Sequence, residues 1–189
     1  MQTFFIFLIF LASLYIYIPL NKRRSKFYWQ SSIDRKIPLI PIFVYPYYFY
    51  LFYLPFAVFF VFLVSKSLFV RFLLAYITAN SAAAVFWYFF PNGIKRPRIR
   101  RGGFYFSLVR DLYYHDKYDT NAFPSNHVYG SIISSYYLTL ALPPLSLVFV
   151  TIGFLITIST ILVKQHHILD LVGGILWAVG AILVVMFLL

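Results

Sequence analysis

The length of its apolar runs constrains this chain more than any other feature. From Thr3 to Leu20 no charged side chain occurs, and a helix needs about 20 such residues to cross the hydrocarbon of a bilayer. Several further runs approach that length without the polar face, repeating at period 2 or 3.6, that a soluble core demands. With 62% hydrophobic, 23% aromatic and 11% charged residues, the chain is too apolar for an ordinary soluble domain. It reads as an all-α, polytopic integral membrane protein, one membrane domain spanning residues 1–189.

Apolar length and helix breakers together predict a six-helix transmembrane bundle, with helices at roughly 3–20, 41–64, 68–90, 127–142, 145–163 and 168–188. The first run lacks a basic leader and a small-residue cleavage site, so it is expected to be a membrane helix and not a signal peptide. Pro46 and Pro55 are expected to kink the second helix. The "LPPL" break at Pro143 and Pro144 predicts an antiparallel hairpin, and Gly173, Gly174, Ala178 and Gly180 give the last helix a small-residue face. The connection from Pro91 to Asn126 is longer than a passive hairpin loop requires.

Six crossings put alternate connections on opposite sides. One side collects Lys22, Arg23, Arg24, Lys26, Arg35 and Lys36, then Lys95, Arg96, Arg98, Arg100, Arg101, Arg110 and Lys117, then Lys164; the other has Lys66 and Arg71. The positive-inside rule places the basic side in the cytoplasm and both termini outside.

The chain has no cysteine, which excludes disulfides, thiolate nucleophiles and Cys-ligated zinc. It has no glutamate, and its carboxylates are Asp34, Asp111, Asp116, Asp119 and Asp170. Two polar islands interrupt the apolar pattern. In "HHILD", His166 and Asp170 lie four apart, a spacing that lets a carboxylate orient an imidazole and support its positive charge. His167 lacks such a partner, so His166 is the better candidate for a base or nucleophile. An ionisable pair at the end of a membrane helix is a functional hypothesis by default, against the plainer reading of a polar interfacial terminus.

In "FPSNHVYGS", Ser125 stands as N-cap of the next helix, whose first amides and dipole suit an anion. His127, one turn in, would donate a proton to a leaving oxygen beside that anion; an ordinary capped helix start explains the island equally well. In "PNGIKRPRIRR", Arg96 offers a planar fork to phosphate oxygens, although clustered cations beside a membrane helix also serve topology and anionic lipid. Nucleic-acid binding is not expected of so short a run this near the bilayer. His115 and Asp116 in "YYHDKYD" have no ligand spacing to His127 or His166 and read as a solvated loop, not a metal site.

In order, "RP" at Arg96–Pro97, "PSNH" at Pro124–His127 and "STILVKQHHILD" at Ser159–Asp170 resemble the three motifs of the type-2 phosphatidic acid phosphatase superfamily. That superfamily includes membrane phosphotransferases and soluble vanadium haloperoxidases. The resemblance covers roughly residues 80–185 and includes the spacing from Ser159 to His166 and on to Asp170. It departs at Phe89, where the first motif has lysine, and at Thr160, where the third has arginine; Lys95 and Lys164 are the candidates to replace those cations. The "KQH" variant resembles the branch containing inositol-phosphorylceramide synthases.

The resemblance implies that His166 attacks phosphorus, Asp170 orients it, and His127 protonates the leaving alcohol. It further implies that Arg96, Lys95, Lys164, Ser125 and the amide of Asn126 hold phosphoryl oxygens, with no metal or other cofactor. The expected activity is hydrolysis of a lipid phosphate or diphosphate, with membrane lipids as surroundings. Transfer of the phosphoryl or headgroup-phosphate unit to an alcohol is the rival, and non-catalytic binding of anionic lipid is the alternative from another class. Many relatives carry this site on the outer face, opposite to the side the charges favour.

Overall fold

A computed structural model describes residues 1–100 and 102–189 of the chain. Among the described residues, five helical segments are long and apolar enough to cross a membrane: Gln2–Asn21, Pro41–Val64, Lys66–Phe89, Pro143–Leu162 and Ile168–Leu188. Among the described residues the all-α expectation holds apart from one two-residue strand pair and an isolated bridge, and observed boundaries of the long helices lie within two residues of those expected.

The first segment is two helices, α1 (Gln2–Tyr15) and α2 (Tyr17–Asn21). Pro19 lacks the N–H that would bond the Tyr15 carbonyl, which accounts for the break between them. A connector follows, carrying strand β1 (Phe27–Tyr28) and the short helix α3 (Ser32–Lys36). Helix α4 (Val44–Val64) runs continuously through Pro55, and Pro46 falls in its first turn, where proline is tolerated. Helix α5 (Lys66–Phe89) leads to strand β2 (Asn92–Gly93), which pairs in parallel with β1.

The long connection contains a helix that was not expected, α6 (Phe104–His115). At 12 residues it is too short to be found as a membrane run. Its apolar side is nevertheless regular: Leu108, Val109, Leu112 and Tyr113 pack against Phe43, Val44, Tyr47 and Tyr48. Phe104, Tyr105 and Tyr114 remain exposed.

Helix α7 (Asn126–Ala141) lies at the centre, packed against α4, α5, α8 (Ser146–Leu162) and α9 (Ile168–Leu188). Because neighbours surround it, it buries hydroxyls as well as the apolar side chains Val128, Ile133 and Leu138. Tyr76 donates to the Gly130 carbonyl at 2.7 Å, Tyr129 to Asn80 at 2.7 Å, and Ser135 to the Phe149 carbonyl at 2.9 Å. Such bonds spare buried polar groups the cost of desolvation. A turn at Pro143–Leu145 folds α8 back on α7.

The small residues of α9 divide. A Cβ on Gly174 would stand 2.6 Å from Val128 Cβ and one on Gly173 would strike the Phe123 ring, whereas nothing lies within 4 Å of Gly180. Gly180 is not part of the close-contact face. At one end of the bundle Gln2, Lys66, Arg71 and Leu189 line a common cavity; the polar islands occupy the other end.

Candidate active site

The turn between α8 and α9 is built by backbone geometry. Lys164 is in the left-handed region (φ 58°), the N–H of Gln165 bonds the Thr160 carbonyl at 2.9 Å, and that of Lys164 bonds the Ile161 carbonyl at 3.2 Å. This is a helix C-terminal motif that usually carries glycine at the left-handed position. Here a lysine side chain stabilises it from outside: Lys164 Nζ donates to the Asp34 carbonyl at 2.9 Å and to the Ile37 carbonyl at 2.5 Å. Burial pulls the Lys164 ammonium below its ordinary pKa, and the Asp34 carboxylate opposes that shift. Tyr113 of α6 adds a 2.8 Å bond to the Val163 carbonyl, and burial raises its phenol.

His166 sits in this turn and not on α9, which begins at Ile168. The expected helical register therefore does not apply, yet the pair still meets: His166 Nδ1 is 3.5 Å from Asp170 Oδ2. Asp170 is held by the His167 N–H at 2.7 Å, and its carbonyl accepts from the Ser125 N–H at 3.2 Å. The last bond joins the two polar islands directly.

Two residues not singled out from the sequence fix that junction. Asp34 Oδ1 accepts from the Ile168 N–H at 2.8 Å, capping α9 from the first connector, while Oδ2 accepts from Ser31 N–H and Oγ–H, each at 2.7 Å. Burial raises the Asp34 carboxyl, but these hydrogen bonds outweigh it and hold the group below its ordinary value. Asn92 clamps both backbone groups of Phe123, donating to its carbonyl at 3.0 Å and accepting from its N–H at 2.7 Å. The Ser-x-x-Asp spacing of Ser31 and Asp34 is a capping-box signal that could have found the first. Nothing local marked the second.

An inner cavity of about 200 Å³ is lined by Arg96, Asp116, Asn126, His127, Gln165 and His166, with Tyr17, Tyr47 and Tyr50 among its walls. The His127 ring stacks on Tyr47 at 4.3 Å between centroids and is 4.7 Å from Tyr50. The His127 and His166 centroids are 6.2 Å apart. An outer cleft of about 580 Å³ shares Arg96 and His166 with the inner cavity and adds Asp34, Lys95, Arg98, Arg100, Lys164 and His167.

Of the residues expected at the site, Arg96, Asn126, His127 and His166 meet in the inner cavity, whereas Lys95 and Lys164 line the outer cleft. Asp170 stands behind His166. Ser125 occupies the N-cap position without a side-chain cap bond, and its buried hydroxyl lines neither cavity. Asp116 is not a solvated loop residue: its carboxylate pairs with Arg96 at 2.7 Å and its carbonyl accepts from the same guanidinium. His115 does lie out in solvent, 3.4 Å from Asp111.

Arg96 Nε, Asn121 Nδ2 and Gln165 Nε2 are buried without hydrogen-bond partners among the described residues, and all three side chains line the inner cavity. A buried unpaired polar atom costs about 1–3 kcal/mol, so their convergence marks a place prepared for a ligand with acceptor atoms. No protein-family model, curated protein sequence or solved structure matches this chain.

Proposed function

We propose that this chain is a membrane-embedded lipid phosphatase of the type-2 phosphatidic acid phosphatase superfamily, working through a phosphohistidine. The observation that carries the reading is the meeting of two imidazoles and Arg96 at one cavity whose buried donors have no protein partner. A binding protein needs cations but no imidazole backed by a carboxylate.

With Nδ1 turned to Asp170, the other ring nitrogen of His166 forms the N–P bond as the P–O bond to the lipid alcohol breaks. His127 gives its proton to the departing oxygen. In the second step His127 takes a proton from water while the water oxygen attacks phosphorus, and the N–P electron pair returns to His166. Arg96 and the first amides of α7 neutralise the charge that develops on the phosphoryl oxygens.

Transfer to an alcohol differs only in what replaces water. The outer cleft favours that second reading by its size, since about 580 Å³ is far more than a water molecule needs. Phosphate release from purified protein, across phosphatidate, polyprenyl diphosphate and phosphatidylglycerol phosphate and with or without polyols, separates the two. Full turnover by His166→Ala would remove the proposed nucleophile, and lipid binding without turnover by the native chain would favour the non-catalytic alternative.

The bundle is proposed to cross the membrane six times. Gln2 and Leu189 share one cavity, so an even number of crossings is needed, and α7 adds the sixth to the five longer segments. Its 16 residues rise about 24 Å, short for lipid contact but sufficient inside a sleeve of other helices. The cationic connectors favour a cytoplasmic site. Labelling single cysteines at Ser31 and Ser146 tests it: reagent confined to the outside should reach only position 146.

A further inference from the structure

We infer that Asp116 is a charge selector, setting the inner cavity to accept a singly charged phosphoryl group, such as a phosphodiester or a protonated monoester, over a dianion. The inference rests on the phosphoryl-site reading above. Arg96 is the one lysine or arginine lining the inner cavity among the described residues, and Asp116 lines it too. Their ion pair at 2.7 Å leaves the pair without net charge, and both side chains are mostly shielded, at 12% and 30% exposure. The Asp116 carboxylate and carbonyl occupy the outer nitrogens of the guanidinium, which leaves Nε unpartnered.

Other cations do not restore the balance. Lys95, Arg98 and Arg100 are exposed in the outer cleft, where water and salt screen them. Lys164 already spends two donors on the carbonyls of Asp34 and Ile37. The titratable groups facing Asp116 are Arg96, its neighbour Lys117, Tyr17 of α2, Tyr47 and Tyr48 of α4, and His127 and His166 across the cavity. A phosphoryl group held by Arg96 therefore lies close to a fixed negative charge, and each further charge on the ligand meets that repulsion.

Two anions separate this effect from titration of the histidines. Inorganic phosphate gains its second charge between pH 5.5 and 8, whereas dimethyl phosphate stays singly charged; both are titrated against the full chain in detergent by thermal shift. In the native chain, phosphate should weaken about tenfold more than dimethyl phosphate across that range. In Asp116→Asn the difference should shrink to less than about threefold, with phosphate at pH 8 bound more tightly. Parallel behaviour of the two anions in the native chain overturns the proposal and needs no variant. Equal weakening of both by Asp116→Asn also overturns it, because Asp116 would then only position Arg96. Absence of lipid turnover would defeat the proposed phosphatase while leaving this binding comparison intact.

Discussion

His166 Nδ1 lies 3.5 Å from Asp170 Oδ2 and makes no hydrogen bond, while that oxygen accepts from the His167 N–H at 2.7 Å. The carboxylate is thus fixed first by the backbone, and the imidazole has only to tilt toward it. Catalytic hydrogen bonds often tighten in this way when ligand arrives. We expect Asp170→Asn to lower kcat by about 10²-fold or more with KM little changed. Acid-labile, base-stable phosphoenzyme trapped from labelled substrate should form correspondingly slowly, and His166→Ala should form none.

His127 has a separate signature. Its ring is stacked on Tyr47 and faces His166 across the inner cavity, where it serves the leaving oxygen and not phosphorus. Replacing it with Gln should cost about 10²–10⁴-fold on a lipid phosphate, whose alkoxide is a poor leaving group. On a p-nitrophenyl phosphate the loss in phosphoenzyme formation should be much smaller, since that phenolate departs without a proton. An equal loss on both substrates would remove the general-acid role.

How much of this was legible in the sequence follows from the range of each interaction. Apolar runs long enough for a bilayer are a property of contiguous residues, so the long helices were placed to within two residues. His166 and Asp170 were found because they lie four apart, even though the helix that suggested the spacing starts after His166. Asp34 and Asp116 were missed as site residues because their partners, Ile168 and Arg96, are far away in sequence. Asn92 was missed for the same reason: its role exists only once the chain brings Phe123 beside it. Helix α6 escaped because a search for bilayer-length runs does not register three amphipathic turns.

Asp34 caps α9 through its 2.8 Å bond from Ile168 and supports the turn that carries His166. Loss of such a cap costs about 0.5–2 kcal/mol, so Asp34→Asn should lower the thermal midpoint in detergent. The folded-state carboxyl is held below its ordinary value of 3.8. Its stabilisation is therefore fully present above that value and is lost as pH falls through the lower, folded one. The gap between native and Asp34→Asn midpoints should stay constant from neutral pH down to about pH 5 and close below pH 4. A gap that instead changed between pH 6 and 8 would point to a histidine as its source.

The contact between α7 and α9 sets the distance between the two polar islands, and glycine makes it possible. At Gly174 a methyl group would stand 2.6 Å from Val128 Cβ and 3.0 Å from the Ser125 carbonyl, both on segments that cannot swing aside. Gly174→Ala should therefore destabilise the fold by about 1–3 kcal/mol and lower activity further by moving Ser125 and His127 away from His166. Gly180→Ala, on the same helix with nothing within 4 Å, should leave both unchanged or raise stability slightly through helix propensity. Because the two substitutions are chemically identical, the comparison of midpoints and turnover isolates the packing term. Equal effects at the two positions would mean that close approach at Gly174 does not hold the islands together.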